Sequence, residues 1–171
     1  MHDSILRFNE VMARLLQFSM PSICVFNGNA IAGGFILGLC HDSRIMHEST
    51  GAICLSELKL GLPLPLPYML VCRSKLSPVV MTKVAYAVDV KQKEALSDGL
   101  IDDTYATKEQ LQTKLAAFVK RFAPMGVHRD AIKTNKTNQF ELVINGCRSF
   151  TFTPILYQGL LQSHASSMKI I

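Results

Sequence analysis

The stretch Ser22–Leu62, SICVFNGNAIAGGFILGLCHDSRIMHESTGAICLSELKLGL, decides how the rest of the chain is read. It opens with Ile23-Cys24-Val25-Phe26, an apolar run with the length and β-branched character of a buried strand. Asn27-Gly28-Asn29 punctuates the chain, Ala30-Ile31-Ala32-Gly33-Gly34 follows, and Phe35–Cys40 reads as a short buried helix. A strand, a glycine turn and a helix start leave free backbone N–H groups at the positive end of a helix. Such an end can hold an anion or a developing oxyanion. One carboxylate, Glu57, lies downstream among Cys54, Leu55 and Leu58. It is a candidate acid/base group beside a candidate oxyanion site.

The order and spacing of Asn27, Gly28, Ala30, Gly33, Gly34, Leu37, Asp42, Arg44-Ile45, Glu57 and Leu60-Gly61-Leu62 resemble the core of the enoyl-CoA hydratase/isomerase (crotonase) superfamily. Asp89–Asp102, DVKQKEALSDGLID, is similar to a later segment of the same family. Matches spread over this length are more specific than a lone glycine pair. The resemblance implies an α/β fold, a partial crotonase-type spiral of short strands backed by helices, with a helical C-terminal tail. It divides the chain into residues 1–105, the C-terminal part of the crotonase core, and residues 106–171, a helical region for packing or oligomerisation. It also implies that the family's N-terminal third, with the second oxyanion donor and most coenzyme A contacts, precedes Met1. A truncated product, half of a split enzyme and a non-catalytic structural subunit of a larger assembly are the explanations left open.

Carboxylate count separates the two main reactions of the family. Adding water to a 2-enoyl thioester needs one group to activate water and another to manage the proton at C2. The family's hydratases use two glutamates, and at the first of these positions this chain has Ile36; at the second it has Glu57. A single carboxylate suits a double-bond shift, which implies a Δ3,Δ2-enoyl-CoA isomerase, similar to the plant peroxisomal type. By the resemblance Glu57 is the proton shuttle and Gly33 an oxyanion-hole donor. Burial among Ile53, Leu55 and Leu58 is expected to raise the proton affinity of Glu57. Ile36, Leu64 and Leu66 are candidates to line the acyl pocket, though Ile36 also reads simply as core. Asp42 is expected to be structural, and Lys59 and Arg73 to be surface charges rather than coenzyme ligands. No cofactor is implied beyond the coenzyme A thioester as substrate.

Composition bounds the alternatives. Hydrophobic residues make up 49% of the 171 and charged ones 18%, which suits one globular domain with a substantial core. The net charge of +5 is modest, and part of it lies in Lys108–Lys136, read as a solvated helix face. Aromatics do not interleave with these basic residues, so nucleic-acid binding is not expected. No apolar run approaches a membrane span. The five cysteines are scattered without C-x-x-C spacing and four sit in apolar runs, as reduced core residues of a reducing compartment do. The five histidines show no zinc-ligand spacing.

Along the chain, Asp3-Ser4 is expected to cap a helix bearing Ile5, Phe8, Val11, Met12, Leu15 and Leu16, ending near Ser19 ahead of Pro21. A mitochondrial presequence is the alternative for this segment. Leu62–Pro67, alternating Leu and Pro, is excluded from helix and central strand. Tyr68–Leu76, Ser77–Val88 and Lys91–Ser97 read as helices, the last stopped at Asp98-Gly99. Leu100–Asp102 reads as a strand, Thr107 as a helix cap, and the remainder as helical with breaks at Gly146 and Pro154. The last residues, Met168–Ile171, are not the Ser-Lys-Leu address, which favours a mitochondrial over a peroxisomal location. Acyl-CoA and other subunits, identical or different, are the expected partners.

Overall fold

Short apolar runs separated by glycine turns leave strands too brief to stand alone, and a computed structural model, which describes residues 2–149, shows how they are combined. Ile23–Phe26 (β1) pairs in parallel with Ser43–His47 (β3), which pairs in parallel with Asp103–Tyr105 (β5). Ala30–Ile31 (β2) and Ile53–Cys54 (β4) form a second parallel pair. Parallel strands need crossovers, and Gly33–Leu39 (α2) lies in the one between β1 and β3. The expected strand at Leu100–Asp102 is displaced to β5. Leu100 and Ile101 are instead buried, and the Asp102 N–H donates to the Arg44 carbonyl at 2.8 Å just ahead of the strand.

Two glycines allow the close approaches in this layer. A Cβ on Gly38 would stand 2.1 Å from Cζ of Phe26, so its absence lets the β1 ring lie against α2. Gly51 has φ +86°, and a Cβ there would meet the Gly28 carbonyl oxygen at 2.2 Å.

The helix His2–Leu15 (α1) buries Met12 and Ala13, with Leu16 just beyond it, and packs on Glu141–Ser149 (α8). It ends before Ser19 because the Gln17 and Phe18 N–H groups bond three residues back, and Gln17 Nε2 donates to the Ala13 carbonyl at 2.7 Å. Asp3 and Ser4 lie within the helix rather than capping it, and Val11 is exposed. Leu66–Lys75 (α3) begins inside the proline repeat, against the exclusion of that segment from helix. Pro67 sits in the first turn, where the missing N–H has no intrahelical partner to lose. Pro78–Ala85 (α4) and Gln92–Ser97 (α5) follow, then Lys108–Phe122 (α6), whose cap Thr107 Oγ1 accepts from the Gln110 N–H at 3.2 Å. After Arg129–Gln139 (α7), α8 runs unbroken through Gly146. A Cβ there would stand 2.7 Å from Leu70, so this glycine marks tight packing on α3 rather than a break. Pro154 lies outside the described residues.

Asp42 and Arg44 tie these layers together. Asp42 Oδ2 accepts from the Ser22 N–H at 2.7 Å and from Lys136 Nζ at 2.5 Å, and Lys136 also donates to the Met20 carbonyl at 3.0 Å. Arg44 is buried; its Nε donates to the Leu100 carbonyl at 2.8 Å and its backbone N–H to Asp102 Oδ2 at 2.6 Å. Asp42 is therefore engaged in structure.

Candidate active site

The two strands of the β2–β4 ladder point the same way, with Ala30 opposite Ile53 and Ile31 opposite Cys54. Both therefore deliver the residues that follow them to one end of the ladder, the usual place for ligands in parallel sheets. After β2, the Ala32 N–H donates to the Cys54 carbonyl at 2.8 Å. Ala32 then turns the chain with φ 51° and ψ −126°, a conformation costly for a residue with a Cβ. Gly33 and Gly34 come next. The first bonds of α2 are made by the Phe35 and Ile36 N–H groups to the Ala32 carbonyl, at 3.0 and 3.2 Å, so the glycine N–H groups lie ahead of the helical ladder. Gly34 is exposed with open space where a Cβ would be; the corresponding point on Gly33 touches the Phe8 ring at 3.4 Å. Phe8 in turn meets Tyr68 of α3 edge-on, with centroids 5.6 Å apart.

After β4 the chain enters a 3₁₀ turn, Ser56–Leu60, which carries Glu57. The turn closes through Gly61 at φ 67° and a bond from the Leu62 N–H to the Glu57 carbonyl at 3.0 Å. Glu57 is half-buried, and its Oε2 is enclosed with no hydrogen-bond partner among the described residues. Burial pushes the carboxyl above its usual range, partly opposed by a hydrogen bond from its own backbone. The apolar surroundings differ from expectation in one respect. Leu58 points outward, 48% exposed, and Cys72 of α3 lies within electrostatic reach of Glu57. That thiol is held up to about 12 by its own burial, with the Glu57 charge adding to it, so it stays protonated.

The three acyl-pocket candidates part company. Ile36 has no exposed surface and belongs to the core with Phe26 and Phe35. Leu64 is half-buried and lines an apolar groove of about 240 Å³. Leu66 opens α3, is 60% exposed and lies outside that groove, because α3 starts earlier than the prolines suggest. Cys72, Phe8, Met69 and Ala85 went unnoticed in the sequence as neighbours of the site. Of these only Phe8 carried a local signal, its position on an amphipathic helix. Lys59 is an exposed partner of Asp89 at 2.6 Å, and Arg73 is exposed on α3. His41 Nδ1 lies 3.0 Å from the Leu37 carbonyl. Among the described residues no three His, Cys, Asp or Glu side chains gather as metal ligands, and no helix is long and apolar enough to cross a membrane.

A sequence model of the enoyl-CoA hydratase/isomerase family matches residues 2–150. The chain belongs to this family. Among its relatives are two proteins of Arabidopsis thaliana. Peroxisomal enoyl-CoA delta isomerase 2 is 30% identical over 112 residues, which are 64% of this chain and 47% of the relative. Enoyl-CoA delta isomerase 3 is 31% identical over 112 residues, 60% of this chain and 44% of the relative. The chain thus spans under half the length of these relatives. Similar solved structures include an enoyl-CoA isomerase of Mycobacterium tuberculosis, with a TM-score of 0.76 at 22% identity over 86% of this chain and 64% of that one. An enoyl-CoA hydratase of Mycobacterium ulcerans gives a TM-score of 0.75 at 24% identity over 86% of this chain and 63% of that one. At such identities these establish the crotonase fold alone.

Proposed function

We propose that this chain carries the reacting centre of a Δ3,Δ2-enoyl-CoA isomerase. The observation that carries the reading is Glu57, a carboxyl with an enclosed, unpartnered Oε2 at the same end of the β2–β4 ladder as Gly33. A proton on carbon offers no strong hydrogen bond, so a base that removes it gains from having no competing donor and a raised proton affinity. Glu57 takes a proton from C2 of a 3-enoyl thioester. The C–H pair moves into the C2–C1 bond and the carbonyl oxygen becomes an enolate, toward which the Gly33 N–H donates. Returned at C4, the same proton draws the double bond to C2–C3 and restores the carbonyl. Hydration would call on a second carboxylate, and the residue at that position, Ile36, is core. By the family resemblance, the second oxyanion donor and most coenzyme contacts belong outside the matched region.

A second reading, a non-catalytic subunit with a structural role, is favoured by the apolar surface of α6 and the turn after it. There Val119 and Val127 stand 61% and 81% exposed, surface of the kind that a neighbouring subunit covers. For location, two Arabidopsis relatives carry peroxisomal names, which supports the peroxisomal alternative for this chain; nothing in them supports the mitochondrial one. The test is incubation of the natively isolated protein with a short 3-enoyl-CoA, followed by the ultraviolet absorbance of the conjugated product. A rise in absorbance is expected. No conversion by a protein that migrates as a large assembly would overturn the isomerase in favour of the structural subunit.

A further inference from the structure

We propose that a basic cavity at the end of α1 binds a nucleoside diphosphate, with Arg14, Lys133 and Arg148 on its phosphoryl groups and Phe18 against its base. The cavity holds about 340 Å³ and is lined by Arg14, Gln17, Phe18, Ser19, Lys133 and Arg148, a size within the range of small-molecule sites. Its three cations come from three helices, α1, α7 and α8. Lys133 belongs to the basic run read from the sequence as a solvated face, and the fold brings an arginine from either side of it in the chain to the same opening. Lys136, one turn along α7, reaches Asp42, whereas none of these three pairs with a carboxylate among the described residues. Converging like charges repel one another, and a bound anion relieves that repulsion.

The charge balance selects the ligand. α1 ends at Leu15, and its last carbonyls set about half a negative charge against the three cations. Roughly 2.5 positive charges remain, more than the about 1.5 to 2 negative charges of one phosphomonoester, so two linked phosphoryl groups match better. Arginine forks suit phosphoryl oxygens, which they bind in pairs. At ~30 Å³ for a water-sized group the cavity takes about eleven such groups, more than the phosphoryl groups alone fill. Phe18, 39% exposed, gives the lining an aromatic ring for a base to stack on.

This cavity stands apart from the reacting centre. α2 starts at Gly33 and spans seven residues, about 10 Å, before the chain reaches Asp42. Asp42 accepts from the Ser22 N–H and from Lys136, and Lys136 also donates to the Met20 carbonyl, next to Ser19. Ser19 and Lys133 each stand three residues from that Ser22 and Lys136 pair, so the cavity lies toward the end of α2 away from Gly33.

Calorimetry on the natively isolated full chain measures binding of ADP, pyrophosphate and adenosine, and of mixed phosphatidylserine and phosphatidylcholine vesicles, with butyryl-CoA alongside. ADP should bind and weaken as salt rises, pyrophosphate should bind less tightly, and adenosine should not bind. Arg14→Gln and Lys133→Gln should each weaken ADP by about tenfold or more, the worth of one charged hydrogen bond. Lys133→Arg, which keeps the charge, should bind ADP as the parent does. Phe18→Ala should weaken ADP and leave pyrophosphate unchanged. These exposed substitutions should not alter the affinity for butyryl-CoA. The proposal is overturned by absence of ADP binding, by ADP binding that either Gln variant or Phe18→Ala leaves unchanged, or by vesicles bound in place of ADP. A fall in butyryl-CoA affinity in step with that for ADP would also overturn it, because the cavity would then serve the substrate rather than a second ligand.

Discussion

Gly33 and Glu57 leave the same end of one parallel ladder, two and three residues beyond the paired Ile31 and Cys54. The ladder is only two residues long on each strand, yet it delivers both residues to one end. What surrounds them is supplied from elsewhere in the chain, by Phe8 of α1 and by Tyr68 and Cys72 of α3.

The raised proton affinity of Glu57 has a stability consequence of definite sign. An acid whose folded-state pKa lies above its unfolded value of about 4.5 contributes stability fully below that unfolded value. The contribution is lost as the pH rises through the folded value. Glu57→Gln removes this dependence, so the variant should gain melting temperature relative to the parent at pH 7–8, and the gain should shrink toward pH 4. Melting curves across that range check it; a gain that grew on acidification would contradict it. The acid limb of kcat/KM should lie above the usual carboxylate range for the same reason.

Asn9 is fully buried on the core stripe of α1 with Met12, Ala13 and Leu16, and neither its Oδ1 nor its Nδ2 has a partner among the described residues. An unmet buried amide costs about 1–3 kcal/mol. Asn9→Leu should therefore stabilise the protein by roughly that amount, seen as a higher denaturant midpoint at unchanged slope. A lower midpoint would mean that the amide is satisfied in solution.

Lys136 reaches Asp42 from α7, and its side chain is only 11% exposed. Asp42→Ala leaves the ammonium with the Met20 carbonyl alone, and loss of a charged hydrogen bond costs about 1.5–3 kcal/mol. Lys136→Met in the same protein should recover part of that loss, because it removes the stranded charge. Chemical denaturation of the two single variants and the double variant measures the coupling; simple additivity would show that the pair contributes nothing.

Much of the fold was legible because its signals are local. Ile23–Phe26, the glycine turn, Thr107 as a cap and Gly99 as a helix stop each depend on a few neighbouring residues. The helix start at Leu66 was hidden because a proline bars helix only where its N–H would be bonded, which the first turn does not require. Gly146 misled because Leu70, far away in sequence, makes it a packing residue. The site divides along the same line. Glu57 and Gly33 stand in one readable stretch, whereas Cys72 near Glu57, and Met69 and Ala85 in the groove, depend on how α3 packs against α2 and α4. The placement of Ile36 in the core and of Leu66 on the surface outside the groove likewise depends on long-range packing.

The central claim is that one carboxyl moves the proton. The most direct measurement is the rate at which the natively isolated protein converts a short 3-enoyl-CoA to its conjugated isomer, compared with Glu57→Gln, which keeps the shape and removes the base. The account predicts measurable turnover that falls by about 10²–10⁴ in the variant, the usual worth of a general base. Turnover equal in the two proteins would contradict it.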